Sequence, residues 1–365
     1  MHNLPKTNQY VVAALYQFIK VDEITQWQEA LREKCDICQL MGTLLIAEEG
    51  LNGTISGRYD DMHRFLHWLL SETLFTAPEL KFAVHEERPF HRMKVRLKRE
   101  IVTMGASGIS PAEQAGTYVN PKDWNKLISD PDVMVVDTRN DYEVAIGQFQ
   151  GAVNPLTKTF RDFPEWAAEL AALPEESRPK KLAMYCTGGI RCEKSTALMK
   201  NLGFEDVYHL KGGILQYLED IPQNQSLWEG ECFVFDSRVA VDHNLQRGKY
   251  ALCHACKMPL SKQEMASEAY VAGISCPHCI DKTTPAQRAR FSERAKQIAL
   301  AKQRGDAHIG AKPVSKEPFQ KEVGREQNPL REQNPLREQN PLSEKNHGRE
   351  KNHGHEKNLE KKKKI

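Results

Sequence analysis

A chain of 365 residues has room for two or three domains with real apolar cores. Its 51 basic and 49 acidic residues leave a net charge of +2, so the total charge selects no class of partner and only its local distribution is informative. No basic stretch followed by an apolar one opens the sequence, and no apolar run approaches the roughly 18 residues of a membrane span. The expectation is a cytoplasmic protein without membrane association, whose nine cysteines serve as reduced thiols or metal ligands.

In chain order, Tyr10–Phe18 is a β-rich apolar run, and Val21–Lys34 has helical spacing through Ile24, Trp27, Ala30 and Leu31. Thr43–Ala47 and Gly53–Ser56 read as short strands on either side of a turn, Glu48-Glu49-Gly50-Leu51-Asn52. Tyr59–Leu74 is an amphipathic helix with Met62, Phe65, Leu66, Leu69 and Leu70 on one stripe, and Leu80–Val84 is a last strand. The order β-α-β-β-α-β predicts a ferredoxin-like sandwich over residues 1–103.

Residues 91–99 alternate strictly, with Arg92, Lys94, Arg96 and Lys98 on one face of a strand and Met93, Val95 and Leu97 on the other. Two readings compete. One is a solvated outer face. The other is a ridge that tracks phosphates, because adjacent like charges repel unless a polyanion neutralises them. The Gly/Ser/Pro-containing stretch Met104–Gly116 reads as a linker.

Lys181–Tyr185 is a short buried strand that runs into Cys186-Thr187-Gly188-Gly189-Ile190-Arg191-Cys192, and a helix is expected over Glu193–Leu202 with Ala197, Leu198 and Leu202 inward. A cysteine at such a junction gains a nest of loop N–H groups (Thr187, Gly188, Gly189, Ile190) and the positive end of a helix. Both favour the thiolate. Arg191 supplies a cation for an anionic substrate group. The competing reading is a buried cysteine beside a tight turn, and Cys192, near the first helical turn, is the less favoured nucleophile.

The surrounding segments resemble the rhodanese family. Asp137-Thr138-Arg139-Asn140-Asp141-Tyr142-Glu143 is similar to its Asp-x-Arg-x-x-x-Glu segment. Gly147-Gln148-Phe149-Gln150-Gly151-Ala152 is similar to Gly-His-Ile-x-Gly-Ala, with Gln148 in place of histidine. Gly203-Phe204, Val207, Leu210 and Gly212-Gly213 close the domain in the family's manner. The resemblance implies an α/β rhodanese domain over residues 116–223, with the persulfide-bearing cysteine at Cys186. Only four residues separate Cys186 from Arg191, one fewer than in the phosphatases that resemble this fold, which favours sulfur-sized chemistry over phosphate esters.

Cys253-x2-Cys256 and Cys276-x2-Cys279 form two knuckles nineteen residues apart, a spacing suited to a closed structural zinc site in a Cys-rich module at 228–282. His254 is a weaker ligand candidate. Cys35-x2-Cys38 ends a predicted helix without a second pair and reads as packing, as does Cys232 in an expected strand, Glu231–Phe235. Residues 283–365 form a charged, low-complexity tail: a helix over Pro285–Arg304, then Arg-Glu-Gln-Asn-Pro-Leu three times, Glu-Lys-Asn-His-Gly repeats and Lys361–Lys364. Such a composition buries no core.

Glu49-Gly50-Leu51-Asn52, Arg92-Met93-Lys94-Val95-Arg96, the complete loop Cys186–Lys194 and Phe233-Val234-Phe235-Asp236, in that order, resemble the bacterial tRNA uridine hydroxylase family. The resemblance spans roughly residues 10–280. It implies oxygen-dependent synthesis of 5-hydroxyuridine at the tRNA wobble position, with molecular oxygen as co-substrate, the anticodon arm as partner and Cys186 as the covalent centre. A sulfurtransferase that passes persulfide sulfur to a thiol, and a noncatalytic RNA-binding scaffold, are the alternatives. No Gly-x-Gly-x-x-Gly dinucleotide fingerprint and no recognisable iron-ligand spacing accompanies these motifs.

Overall fold

The computed structural model describes residues 9–304 apart from Ser237. The hexapeptide repeats and the lysine run lie outside the described residues. Among the described residues, no helix is long and apolar enough to cross a membrane.

The N-terminal domain follows the predicted order: β1 (Tyr10–Phe18), α1 (Ile24–Ile37), β2 (Met41–Ala47), β3 (Gly50–Arg58), α2 (Tyr59–Glu72) and β4 (Glu79–His85), with β5 (Met93–Leu97) added. The sheet order is β4-β1-β3-β2-β5, antiparallel except for the β2–β5 pair. Val11, Ala13, Leu15, Leu44 and Ile46 pack on one side with Leu31, Phe65 and Leu69 of the helices. Cys35 and Cys38 lie in this same core.

Two local expectations are corrected. The β2–β3 turn contains only Glu48 and Glu49, because Gly50 already pairs with Ala47 and Phe18. A side chain at Gly50 would collide with the Gln17 carbonyl, and its φ of 144° suits glycine. Helix α1 starts at Ile24 because Val21 is tied to the turn, its N–H donating to the Glu48 carbonyl at 2.8 Å.

The face of the sheet away from the helices has its own rows. Lys81, Ala14, Thr54, Thr43 and Lys94 lie opposite one another across all five strands, and Glu79, Tyr16, Asn52, Leu45 and Arg96 form the next row. Period two therefore puts the β5 cations on the same face as Tyr16 and Lys81.

The stretch 104–116 is not a free spacer. Met104 is buried, and Val102, Ala106 and Ile109 pack with Leu182, Met184 and Met199 of the next domain. A one-turn helix, α3 (Pro111–Gln114), precedes β6 (Thr117–Val119), α4 (Pro121–Ile128), β7 (Val133–Asp137), α5 (Asp141–Val144), β8 (Gly147–Phe149) and α6 (Phe163–Ala171). Then come β9 (Lys181–Tyr185), α7 (Ile190–Asn201), β10 (Asp206–Leu210) and α8 (Gly213–Asp220). The parallel sheet runs β6-β10-β9-β7, the α/β arrangement expected of a rhodanese domain.

Helix α7 begins three residues before its expected start. Gly189, at φ 105°, turns the chain so that its carbonyl accepts the N–H groups of Cys192 and Glu193. Arg191 and Cys192 are therefore helical. The helix is buried from Arg191 through Met199, polar residues included.

Beyond α8, β11 (Trp228–Gly230) pairs with β8, and Trp228 packs edge-on against Phe149. The segment expected to open the Cys-rich module thus adds a strand to the preceding domain. Small hairpins follow, β12 (Cys232–Phe233) with β13 (Ala240–Val241) and β14 (Ala251–Leu252) with β15 (Pro259–Leu260). They precede α9 (Lys262–Met265) and α10 (Pro285–Gln303). Cys232 sits in the core with Val234 and Val241.

Candidate active site

Cys186 leaves the C-terminal end of β9 and is 1% exposed. Its Sγ accepts the Gly189 N–H at 3.1 Å. Burial pushes the thiol up, but a hydrogen bond from the Cys192 thiol, the Arg191 charge and the N–H groups of Cys192 and Gly189 outweigh it, bringing Cys186 down to about 5. Cys192 moves the other way, pushed well up by burial and by the neighbouring thiolate. One sulfur is thus anionic at neutral pH and the other holds its proton as a donor. Gly188 is half-buried, and a side chain there would meet nothing within 4 Å, so the loop has an open side.

Arg191 does not stand free to receive a substrate anion. Its guanidinium makes two bonds to Glu143, Nη1–Oε2 at 2.7 Å and Nη2–Oε1 at 2.9 Å, and donates to Thr187 Oγ1 at 3.3 Å. Glu143 is fully buried, caps α5 by accepting the Asn140 N–H at 3.1 Å, and is held below the usual carboxylate range, the Arg191 charge overcoming its burial. Arg139, also fully buried, pairs with Asp137 at 2.6 Å and donates to the Gly147 carbonyl. The Asp-x-Arg-x-x-x-Glu segment is therefore a frame of nested ion pairs that fixes the loop's curvature.

The open face of the N-terminal sheet covers the loop. Tyr16 donates to Glu193 Oε1 at 2.8 Å, and a side chain at Gly189 would sit 2.7 Å from the Tyr16 hydroxyl. Lys194, 1% exposed, pairs with both Glu49 and Glu100 at 2.6 Å. Glu49 also accepts the Ile101 N–H at 2.6 Å, and the Asn52 side-chain amide donates to the Ile101 carbonyl at 2.8 Å. The Glu49-Gly50-Leu51-Asn52 segment thus joins two domains. Sequence reasoning did not single out Tyr16 or Lys81, and it met Glu193 and Lys194 only as the end of the Cys186–Lys194 loop, without a role. A signal for that role was the run of polar residues on α7, too many for a helix buried by a single domain.

Arg92 and Lys98 flank β5, and Lys94 and Arg96 lie within it at the sheet edge. Arg92, Arg96 and Lys98 are exposed, and the like charges of Arg92 and Arg96 lower the Lys94 pKa. Val95 is buried as expected, whereas Leu97, at the end of the edge strand, is 39% exposed.

The Cys253, Cys256, Cys276 and Cys279 sulfurs lie within 4.8 Å of one another. Cys256–Cys276 and Cys276–Cys279 are 3.6 and 3.7 Å apart, close to the roughly 3.8 Å edge of a tetrahedron with 2.3 Å metal–sulfur bonds. The cluster can hold a metal ion. His254 is outside it, and His278 Nε2 is instead bonded to Glu264 at 2.5 Å.

Residues 10–101 match the family model of the UPF0176 acylphosphatase-like domain, and residues 120–220 match that of the rhodanese-like domain. Among solved structures, a rhodanese-like domain from Anabaena sp. is 19% identical, covering 31% of this chain and 78% of its own, with a TM-score of 0.25. A rhodanese-related protein from Thermoplasma volcanium is 22% identical over 29% of this chain and 95% of its own, at a TM-score of 0.22. An acylphosphatase from Coxiella burnetii is 18% identical over 24% and 94%, at 0.20.

Proposed function

The chain has the domain architecture of the UPF0176 proteins, an acylphosphatase-like domain followed by a rhodanese-like domain, and on that premise we propose that it is a tRNA-modifying enzyme that hydroxylates the wobble uridine to 5-hydroxyuridine. The observation that carries this reading is a shared sheet face. The sheet face that bears Lys94 and Arg96 at its edge is the face that closes over the Cys186 loop. RNA lying along β5 with its phosphates on Arg92, Lys94, Arg96 and Lys98 is then on the same side of the sheet as the thiolate.

In the net reaction the uridine C5–H bond gives way to C5–O. Molecular oxygen supplies that atom, and its second atom leaves as water with two electrons and two protons from a thiol-class reductant. This chain's residues supply a preformed thiolate at Cys186, a frame that fixes it, and Tyr16 and Glu193 beside it to hold a proton. Mass spectrometry of tRNA nucleosides tests the reading. Cells lacking the protein should lose 5-hydroxyuridine and regain it with the wild type but not with Cys186→Ser; unchanged tRNA rejects it.

A second reading, sulfur transfer, is favoured by the same low-pKa thiolate and the opening at Gly188. Cys186 Sγ would attack the outer sulfur of thiosulfate, forming one S–S bond as another breaks and sulfite departs with the electron pair. An acceptor thiolate would then take that sulfur and return Cys186 as thiolate. Turnover of thiosulfate without RNA would favour this reading. An intact thiolate weighs against a noncatalytic scaffold.

A further inference from the structure

The N-terminal sheet also delivers a cation to the Cys186 loop. Lys81 sits on β4 opposite Ala14, one row from Tyr16 on the face away from the helices. Its Nζ donates to the Gly212 carbonyl. The Gly212–Gly213 turn is in turn fastened to the nucleophile's backbone. The N–H groups of Ile214 and Leu215 donate to the carbonyls of Cys186 and Thr187 at 3.0 and 3.2 Å, and a side chain at Gly213 would lie 2.5 Å from the Cys186 carbonyl oxygen. The Lys81 ammonium is therefore held against the loop by two successive close contacts.

Its charge has no carboxylate at ion-pair distance, and Glu219 and Glu79 attract it only from further off. An ammonium carries three protons, and the carbonyl uses one. Among the described residues, the ion pairs within 4.0 Å do not include Lys81. Arg191, the cation expected to hold an anion here, is committed to Glu143. The other titratable groups coupled to Cys186 are Cys192, Arg191 and Glu193 on α7 and Tyr16 on β1; Glu79 on β4 and Tyr118 on β6 neighbour Glu193, and Glu143 on α5 reaches the site through Arg191. Among the described residues, Arg191 and Lys81 are the cations coupled to Cys186, and of the two only Arg191 has a carboxylate at ion-pair distance. Burial lowers the Lys81 pKa, and among the charges that oppose this the Cys186 thiolate comes first, ahead of Glu219 and Glu79.

We propose that Lys81 is a second positioning cation of the Cys186 site beside Arg191, its ammonium, seated on the Gly212 carbonyl against the loop, favouring the anionic form of the sulfur, so that the N-terminal domain completes an anion site begun by the rhodanese domain. The proposal rests on Cys186 as the reactive thiolate and is independent of which acceptor that thiolate serves.

The test uses the full-length protein and needs no RNA. The ultraviolet thiolate absorbance of each variant is titrated against pH, and the same variant carrying Cys186→Ser is subtracted. Lys81→Gln keeps an N–H for the Gly212 carbonyl but removes the charge, and should raise the Cys186 midpoint by about one pH unit. Lys81→Arg should restore most of the shift, which a purely structural role would not require. A second measurement needs no change at Lys81. In protein with isotopically methylated lysines, Cys186→Ser should lower the Lys81 titration by a similar amount, because the coupling of two sites is reciprocal. An unchanged Cys186 midpoint in folded Lys81→Gln, or an unchanged Lys81 titration in Cys186→Ser, overturns the proposal. Neither readout involves tRNA, so failure of the hydroxylase reading and failure of this inference are separate results.

Discussion

Tyr16 donates its phenolic hydrogen to Glu193 Oε1 at 2.8 Å, a buried bond between groups 177 positions apart in the chain. It joins the first strand to the helix that opens behind the nucleophile. Burial pushes the Glu193 carboxyl up, the Tyr16 and Tyr118 hydroxyls pull it back, and the balance lies at about 7.

That balance makes stability depend on pH. The folded-state value lies above the unfolded one of 4.5, so the folded protein holds the Glu193 proton more tightly. The associated stability is complete below about pH 4.5 and is lost as pH rises through 7, on the order of 3 kcal/mol in all. Glu193→Gln cannot ionise but can still accept the Tyr16 hydrogen bond. Urea unfolding at pH 5 and pH 8 should show the variant gaining on the wild type at the higher pH. Parallel behaviour of the two proteins would mean that Glu193 does not titrate in this window.

Glu143→Gln leaves the Arg191 charge buried without its counterion, and should destabilise the protein by about 3–5 kcal/mol. Replacing both residues by apolar ones should cost less, since no charge is then stranded. Chemical denaturation of the wild type and these two variants checks that order. The native Glu143 value lies below its unfolded one, so the pair's contribution is present above the unfolded value and should fade as pH drops below it.

Cys186→Ser should abolish activity with the melting temperature nearly unchanged, whereas Cys192→Ser should retain a measurable fraction. The Cys192 hydrogen bond is among the groups that lower Cys186, and a serine hydroxyl can still donate it. Cys192→Ala removes the donor and should shift the acidic limb of the activity profile upward. Reversed outcomes for the two serine variants would move the nucleophile to Cys192.

Zinc should co-purify at about one ion per chain, as a closed four-cysteine site requires. Cys253→Ser should lower both metal content and thermal stability with little effect on the Cys186 thiolate, because such a site contributes folding free energy. Elemental analysis finding no metal in protein prepared without chelator would leave the four sulfurs as packing.

Lys94→Gln with Arg96→Gln should weaken tRNA binding and flatten its salt dependence, each lost phosphate contact reducing the slope of log K against log salt by roughly 0.7–0.9. Base selectivity should hardly change, because phosphate contacts position without specifying. Binding at three salt concentrations decides the matter, and an unchanged slope returns β5 to a solvated edge.

The sequence by itself determined what is local. Alternation and helical spacing set the order of the N-terminal elements. A strand running into Cys186-Thr187-Gly188-Gly189 described a donor nest, and two Cys-x2-Cys knuckles described a four-sulfur cluster, since each is written in a few consecutive residues. Tertiary structure decided which surfaces meet. Period two says which neighbours along one strand share a face with Tyr16, Lys81 or Lys94, but only strand register brings these three to one face, and only docking puts that face over Cys186. The partner of Arg191 was equally hidden, because Glu143 is 48 residues away and nothing local says that its carboxylate, rather than a ligand, fills the guanidinium fork. The apparent linker at 104–116 and the strand at Trp228–Gly230 follow the same rule. Their composition reads as loop or separate module, yet the apolar surface of the central domain recruits them, because burying it outweighs the weak preferences of short segments.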